Sequence, residues 1–298
     1  MTLSLLFYAL LAGLAQGGDF SDSAIGTSGG SFLKLGVGGR AEAMGEAFSA
    51  VVDDASAMYW NPAALTLVPR RSIVLMHAAG IDKSYFDYGA YAHNLGRWGA
   101  VGVGLQYFSA GKLTETDDIT GADVGTFSPY DLAASIGYAY TWSSSTGPHF
   151  LSGASLGLAV KHVESKILNS AQTQAVDVGL LSPMLFRDRV RLAFSAVNMG
   201  GEMKFDQESA ALPMAFRFGG SCRVNKRLLT AMDVALPKDN APYVALGNEV
   251  SLFSASTWRL DARFGLNTRT IGDVDGLHGI SMGIGWNVSR MNFDYAFL

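Results

Sequence analysis

From about Arg71 onward, apolar residues recur at every second position and not at the 3.6-residue spacing of a helix. Over 278–288, Ile280, Met282, Ile284, Trp286 and Val288 fall on one side, and Gly279, Ser281, Gly283, Gly285 and Asn287 on the other. Successive side chains of a strand point to opposite faces, so this is a strand with one large apolar face and one small face. Segments 101–107, 132–142, 155–161 and 258–267 repeat the pattern. In a soluble sandwich the outer faces carry polar side chains that meet water. Here the second face is mostly Gly, Ala and Ser with an occasional Arg or Asp, which suits a narrow or plugged lumen. Aromatic residues such as Tyr138, Tyr140 and Trp142 gather near strand ends, as in the girdles of outer-membrane barrels. A closed barrel also satisfies every backbone group in lipid, where an open edge is not tolerated. The expected fold is therefore all-β, a transmembrane antiparallel β-barrel, with a soluble β-sandwich or barrel as the competing arrangement.

Composition agrees. Charged residues make up 16% of the 298, against roughly 25% in ordinary soluble proteins. Gly is unusually frequent, at 35 residues. A net charge of −4 offers no general nucleic-acid-binding field, and a single Cys excludes a disulfide scaffold and a Cys-based zinc site. Residues 3–15 form an apolar run of signal-peptide length, followed by small residues at 13–17. Residues 1–17 read as an export signal, although no Lys or Arg precedes the run. No other segment reaches the length of a membrane-spanning helix.

Strands are predicted near 72–79, 84–94, 99–109, 130–142, 151–166, 171–184, 189–198, 212–223, 228–237, 241–253, 257–267, 278–288 and 291–297. Residues 24–67 read differently. Ala41, Met44, Phe48, Val51 and Val52 have helical spacing and predict a helix over 39–52, about 21 Å long. Asp54 is placed to cap a second short helix beginning with Ser56, Ala57 and Met58, and Asn61 before Pro62 marks its end. Residues 18–70 are thus expected to plug a barrel formed by 71–298.

These residues carry a resemblance. Residues 26–41, reading GTSGGSFLKLGVGGRA, continue through Ala43-Met44-Gly45 and Ala47-Phe48 to 53–65, reading DDASAMYWNPAAL. The two blocks, in this order, resemble the N-terminal signature of the PorV/PorQ family of bacterial outer-membrane proteins. The Asn-Pro-Ala core is similar to the wider group related to the long-chain fatty acid transporter FadL. Residues 291–297 also resemble a penultimate strand of that family. The resemblance implies a fourteen-stranded barrel with an N-terminal plug, set against about thirteen strands in the pattern. Either a last strand beyond Leu298 is missing or one elsewhere escapes the pattern.

Candidate chemistry is sparse. The run Gly36-Val37-Gly38-Gly39 lacks the spacing of a phosphate loop, and glycine there suits tight turns in a crowded lumen. The five histidines form no metal-binding pair, and no nucleophile motif points to an enzyme; no cofactor is expected. Cys222 shares a face with Phe216, Phe218 and Gly220 and reads as a lipid-facing residue. More informative are the plug residues Arg40, Asp53, Asp54, Trp60, Asn61 and Pro62. With them go inward charges at Lys161, Asp177, Arg217, Arg223, Glu249, Arg259, Asp261 and Arg263. Buried charges need partners, so these are expected to pair with one another or with Arg40, Glu42, Asp53 and Asp54. A path for polar or anionic solutes is the alternative.

The resemblance implies an outer-membrane location in contact with lipid. As a PorV-like barrel it implies a role in type IX-like protein secretion, with secretion machinery or secreted cargo as partners. The FadL-like alternative is transport of hydrophobic small molecules. The Asp- and Thr-containing stretch 110–128 is the exposed loop best placed for partner binding or gating.

Overall fold

Apolar and small residues alternate through the chain, and this alternation is realised as one large antiparallel sheet. The computed structural model describes residues 20–117, 122–143, 152–205, 208–270 and 279–298; the expected export signal lies outside them. The strands are β1 (Arg71–Ala79), β2 (Tyr85–Asn94), β3 (Ala100–Ser109), β4 (Leu113–Thr116), β5 (Asp123–Phe127) and β6 (Tyr130–Thr141). Then come β7 (Ser155–Lys166), β8 (Ser170–Leu181), β9 (Val190–Gly200), β10 (Glu202–Phe205), β11 (Glu208–Ala211) and β12 (Ala215–Arg223). The last are β13 (Leu228–Pro237), β14 (Tyr243–Ser254), β15 (Trp258–Asn267), β16 (Ile280–Val288) and β17 (Met291–Phe297).

Thirteen of these join in the order β1-β2-β3-β6-β7-β8-β9-β12-β13-β14-β15-β16-β17. They correspond one to one with the thirteen strands read from the alternation. β1 and β17 are the two ends of the ladder, and no pairing joins them among the described residues. The pairs β4-β5 and β10-β11 form separate hairpins. The first lies in the stretch 110–128, read from the sequence as an exposed loop; the second was not anticipated, because four-residue strands are too short to show alternation.

Outside and inside follow the sequence. Ile73, Leu75, Ile136, Leu158, Phe264, Ile284 and Trp286 are exposed on the outer face. The intervening Gly, Ala and Ser residues face the interior, as in the buried-exposed alternation of β7. The outer belt is apolar and built from strands long enough to cross a bilayer, so the sheet is a membrane-spanning one.

Residues 20–70 fill the interior. The longest predicted helix is corrected: α1 spans only Gly39–Ala43, not 39–52. Gly45 and Glu46 adopt φ of 64° and 68°, which end the helix. The wall lies close against this turn: a Cβ on Gly45 would stand 2.7 Å from the Leu266 nitrogen. A second helix, α2 (Ala57–Trp60), follows as expected, but Ser56 and not Asp54 stands at its N-cap, and a 3-10 turn covers Pro62–Leu67. Trp60, Met44, Phe48, Met58 and Leu65 are almost completely buried between this segment and the wall.

Three cross-strand glycine pairs accept the plug. Gly102 lies opposite Gly137, and a Cβ on either would come within 3 Å of the Met58 sulfur. Gly157 lies opposite Gly179, beneath Asn61, Pro62 and Ala63. Gly247 lies opposite Gly265, beneath Met44 and Gly45. Gly157→Ala would set a methyl 2.2 Å from the Pro62 carbonyl carbon, a backbone atom that cannot swing aside. This substitution is expected to cost about 1–3 kcal/mol and to expose the plug to protease. Gly220→Ala, whose nearest neighbour is the Leu192 side chain at 3.8 Å, is expected to leave the heat-modifiable gel shift and protease resistance unchanged.

Candidate functional site

The plug's tightest point of contact is the segment from Trp60 to Ala63. Asn61 is fully buried. Its Oδ1 accepts from the Ala63 N–H at 3.1 Å, which starts the 3-10 turn; its Nδ2 donates to the carbonyls of Ser49 at 3.3 Å and Leu180 at 3.2 Å. One side chain thus ties two plug strands of chain to wall strand β8. Pro62 takes the first position of the turn, where its missing N–H is not needed. The Trp60 indole donates to the Val37 carbonyl at 2.8 Å. Its ring lies edge-on to Phe48 and Tyr59, and the Arg217 guanidinium stands 4.7 Å from its centre.

Toward the end where β12-β13, β14-β15 and β16-β17 turn, charged groups form a continuous chain. Arg40 of α1 gives both Nε and Nη2 to Glu249 of β14, at 2.7 and 2.9 Å, and Nη1 to Asp53 at 2.9 Å. Glu249 also accepts from Arg263 Nε at 2.8 Å. Arg263 continues to Asp294 of β17 at 2.6 Å and lies 3.9 Å from Asp261. Asp261 accepts from Ser251, Arg259 and Asn287 at 2.7, 2.9 and 2.8 Å. The Arg263 side chain is 1% exposed and that of Asp261 0%, so each charge depends on the close partners just named. Asp54 is spent locally, accepting from the backbone N–H of Ser56 at 2.8 Å ahead of α2.

Other predicted residues lie apart. Lys161 and Asp177 pair at 3.0 Å within the wall, and both bind Asn198, at 2.7 and 2.6 Å. Asn198 sits at φ 57° beside a register shift between β8 and β9. Arg223 is exposed on the rim with no ion pair among the described residues, so its expected pairing is corrected: it lies on the inward face but at the last residue of β12, beyond the lumen. Several anchors were not singled out in advance. Asp233 of β13 accepts from the Phe48 and Ser49 N–H groups at 3.3 and 3.0 Å. Asp239 holds Lys34 at 2.8 Å, Arg269 holds Glu46 at 3.0 Å, and Asp294 holds Arg263. Their inward parity was readable for Asp233 and Asp294; their proximity to the plug was not.

Cavities lie on both sides of the plug. A polar cleft of about 210 Å³ opens at the turn end between Arg40, Asp53, Arg223, Glu249 and Arg259. At the opposite end, about 40 Å³ lies between Leu33, Tyr59, Val197, Pro213, Arg217 and Tyr243, and about 160 Å³ beside Glu42, Glu46 and Ser281. Arg217 is 8% exposed, and its Nη1 has no hydrogen-bond partner. The Glu42 carboxyl is pushed up to about 8 by burial and by the nearby Glu46 charge, with Arg269 and Arg217 acting in the other direction. Among the described residues, no group of three His, Cys, Asp or Glu is placed to hold a metal.

Residues 15–172, just over half the chain, match the uncharacterised protein family UPF0164, and the chain belongs to that family. No curated protein matches it in sequence. Among solved structures it is similar to the toluene transporter TbuX of Ralstonia pickettii, with 13% identity and a TM-score of 0.55 over 88% of this chain and 92% of that one. It is also similar to the toluene transporter TodX of Pseudomonas putida, with 14% identity and a TM-score of 0.53 over 84% and 88% of the two chains. At such identities the likeness is one of fold. The fold is that of bacterial outer-membrane β-barrel channels.

Glu249→Gln leaves Arg40 and Arg263 without their shared carboxylate and is expected to destabilise the folded barrel by about 3 kcal/mol. Asp53→Asn, at the exposed end of the chain of charges, is expected to cost no more than about 1 kcal/mol. Urea unfolding of both variants checks the contrast. Glu42 binds its proton more tightly folded than unfolded. Its contribution to stability is therefore full below its ordinary carboxyl range and lost as pH rises toward about 8. Thermal midpoints should fall across that window, and Glu42→Gln should flatten the decline.

Proposed function

We propose that this chain is an outer-membrane channel for small hydrophobic or amphipathic molecules, with residues 20–70 as its gate. The carrying observation is the placing of cavities on both sides of a packed but polar-anchored plug. A solute entering beside Arg217 meets the buried face of Trp60 and Tyr59, and beyond these lies the polar cleft around Arg40 and Glu249. The small cavity is mixed in character: Leu33, Val197, Pro213 and Tyr243 line it together with Lys34, Lys161, Asn198, Asp239 and Arg217, whose Nη1 has no hydrogen-bond partner.

The plug's anchors favour motion as a unit. They are charge pairs and hydrogen bonds concentrated at the two ends, while Met44 and Met58, flexible side chains, fill the glycine notches. The fold shared with two toluene transporters supports the same reading, as does the FadL-like resemblance of the Asn61-Pro62-Ala63 segment. Protein secretion, the reading tied to the PorV/PorQ resemblance, draws no support from the family match or from the solved structures. The neighbours in fold are transporters, which favours a non-enzymatic role.

Locking the plug tests the gate. In a Cys222→Ser background, Met58→Cys with Gly104→Cys places two sulfurs on β-carbons 3.4 Å apart, near the spacing of a disulfide. Uptake of a labelled aromatic hydrocarbon or fatty acid by cells producing this variant is expected to stop on oxidation and return on reduction. Equal uptake in both states would show that the plug need not move. Uptake no greater than in cells lacking the protein would sink the transport reading itself.

A further inference from the structure

Arginine and lysine are sorted between the two ends of the barrel. Five short turns, β2-β3, β8-β9, β12-β13, β14-β15 and β16-β17, lie at one end with the β6-β7 connection; the other end carries the β4-β5 and β10-β11 hairpins and the β1-β2, β7-β8 and β13-β14 turns. Ten of the fourteen arginines stand at the short-turn end, nine of them exposed. Six of the eight lysines stand at the hairpin end. Among the described residues of the short turns, Asp188 is the single acid. The loops at the hairpin end carry acids and bases in near balance, with Asp82, Glu115, Asp123, Glu202 and Glu208 exposed among their lysines.

Tryptophan is sorted the same way. Apart from Trp60 in the plug, every tryptophan (Trp98, Trp142, Trp258 and Trp286) sits at or near the short-turn end. Trp98, Trp258 and Trp286 are exposed. Indoles collect at the boundary between hydrocarbon and headgroups, so this ring fixes the depth of that boundary. Arg97 stands over Trp98 at 4.9 Å, one step outward from it. The carboxylates at this end, Asp53, Glu249, Asp261 and Asp294, are taken by Arg40, Arg259 and Arg263, and the arginines of the turns themselves have only Asp188 among the described turn residues. The planar fork of a guanidinium binds phosphate oxygens in pairs, which an ammonium cannot do. Barrels keep short turns on the periplasmic side and long loops outside.

We propose that this arginine rim binds the phosphate headgroups of anionic phospholipid in the leaflet at the short-turn end. The inference rests on the barrel spanning a bilayer and not on what passes through it. The contacts come from Arg97 in the β2-β3 turn, Arg187 and Arg189 in the β8-β9 turn, Arg227 in the β12-β13 turn and Arg290 in the β16-β17 turn. Arg223 and Arg259 border the polar cleft, as Arg227 also does, so Arg97, Arg187, Arg189 and Arg290 are the contacts that lie away from it.

The full chain is refolded into phosphatidylcholine vesicles and into vesicles holding one part phosphatidylglycerol to three of phosphatidylcholine. Thermal midpoints are read by gel shift at low and high salt. The wild type is expected to melt higher with phosphatidylglycerol, and salt is expected to shrink the difference. Arg→Gln at the five rim positions should abolish the difference. Gln at Lys83, Lys112, Lys166 and Lys204 should leave it intact. Equal lipid dependence in the arginine variant, or its loss in the lysine variant, would overturn the proposal. So would reproduction of the effect by inorganic phosphate in phosphatidylcholine vesicles at matched ionic strength. A second measurement needs no variant: protein extracted from the mixed vesicles should retain phosphatidylglycerol over phosphatidylcholine by at least about fivefold relative to the vesicle, the factor one such contact gives. Retention in the vesicle ratio would equally overturn it.

Discussion

Backbone lies directly on backbone where the plug meets the wall, and the rest of the structure depends on that approach. A strand wall of ordinary side chains holds an inner segment several ångströms away, and the gap fills with water or flexible groups. Here glycine faces glycine across neighbouring strands at 102/137, 157/179 and 247/265. Each pair removes two adjacent side chains at once and leaves a notch as wide as a strand pair. Pro62 and Ala63, Met58, and Met44 with Gly45 occupy the three notches. The cost of so many glycines is the conformational entropy they lose on folding. The return is close packing between plug and wall in a barrel whose outer face, in lipid, contributes little to holding the plug.

Close packing makes the charges inside the barrel possible and also demanding. Arg263 and Asp261 are almost wholly removed from water, yet each has its partners: Glu249 and Asp294 for the first, Ser251, Arg259 and Asn287 for the second. Such a network is weak as a source of net stability, because desolvation offsets much of the attraction. It is strong as a device for register. Arg40 gives two nitrogens to Glu249 and the third to Asp53, so all three donor nitrogens are committed in the observed placement. The apolar contacts hold the plug in, and the ion chain specifies how it sits.

The strands were legible because lipid imposes a rule that reads at every second residue. An apolar side chain must stand outside at each turn of the pleat, and the small residues opposite record the crowding within. Membrane strands are also long, so each gave several repeats of the signal. The interior segment obeys no such rule. Its apolar residues at 41, 44, 48, 51 and 52 have helical spacing, yet the helix stops at Ala43, and Gly45 and Glu46 turn left-handed where Gly45 packs on the Leu266 backbone. That contact joins residues more than two hundred positions apart, and no local pattern foretells it. The charges split likewise. Parity placed Glu249, Asp261 and Arg263 inward, but the meeting of Arg40 with Glu249 depends on how the plug threads the barrel. Lys161 and Asp177 obey the same parity and bind each other within the wall instead.

The threading also joins the two ends of the ladder from within. The Gly38 N–H donates to the Met76 sulfur of β1 at 3.0 Å. The next residue, Gly39, is packed so closely on β17 that a Cβ would come within 2.9 Å of the Asp294 carbonyl oxygen. Asp294 is in turn the outermost carboxylate of the ion chain that holds Arg40. One short stretch of plug therefore touches both terminal strands, β1 through a methionine and β17 through its backbone and its charge. A plug that withdrew from the lumen would give up its contacts to both strands at the same moment. The contacts of Gly38 and Gly39 thus couple the seating of the plug to the fit of both terminal strands.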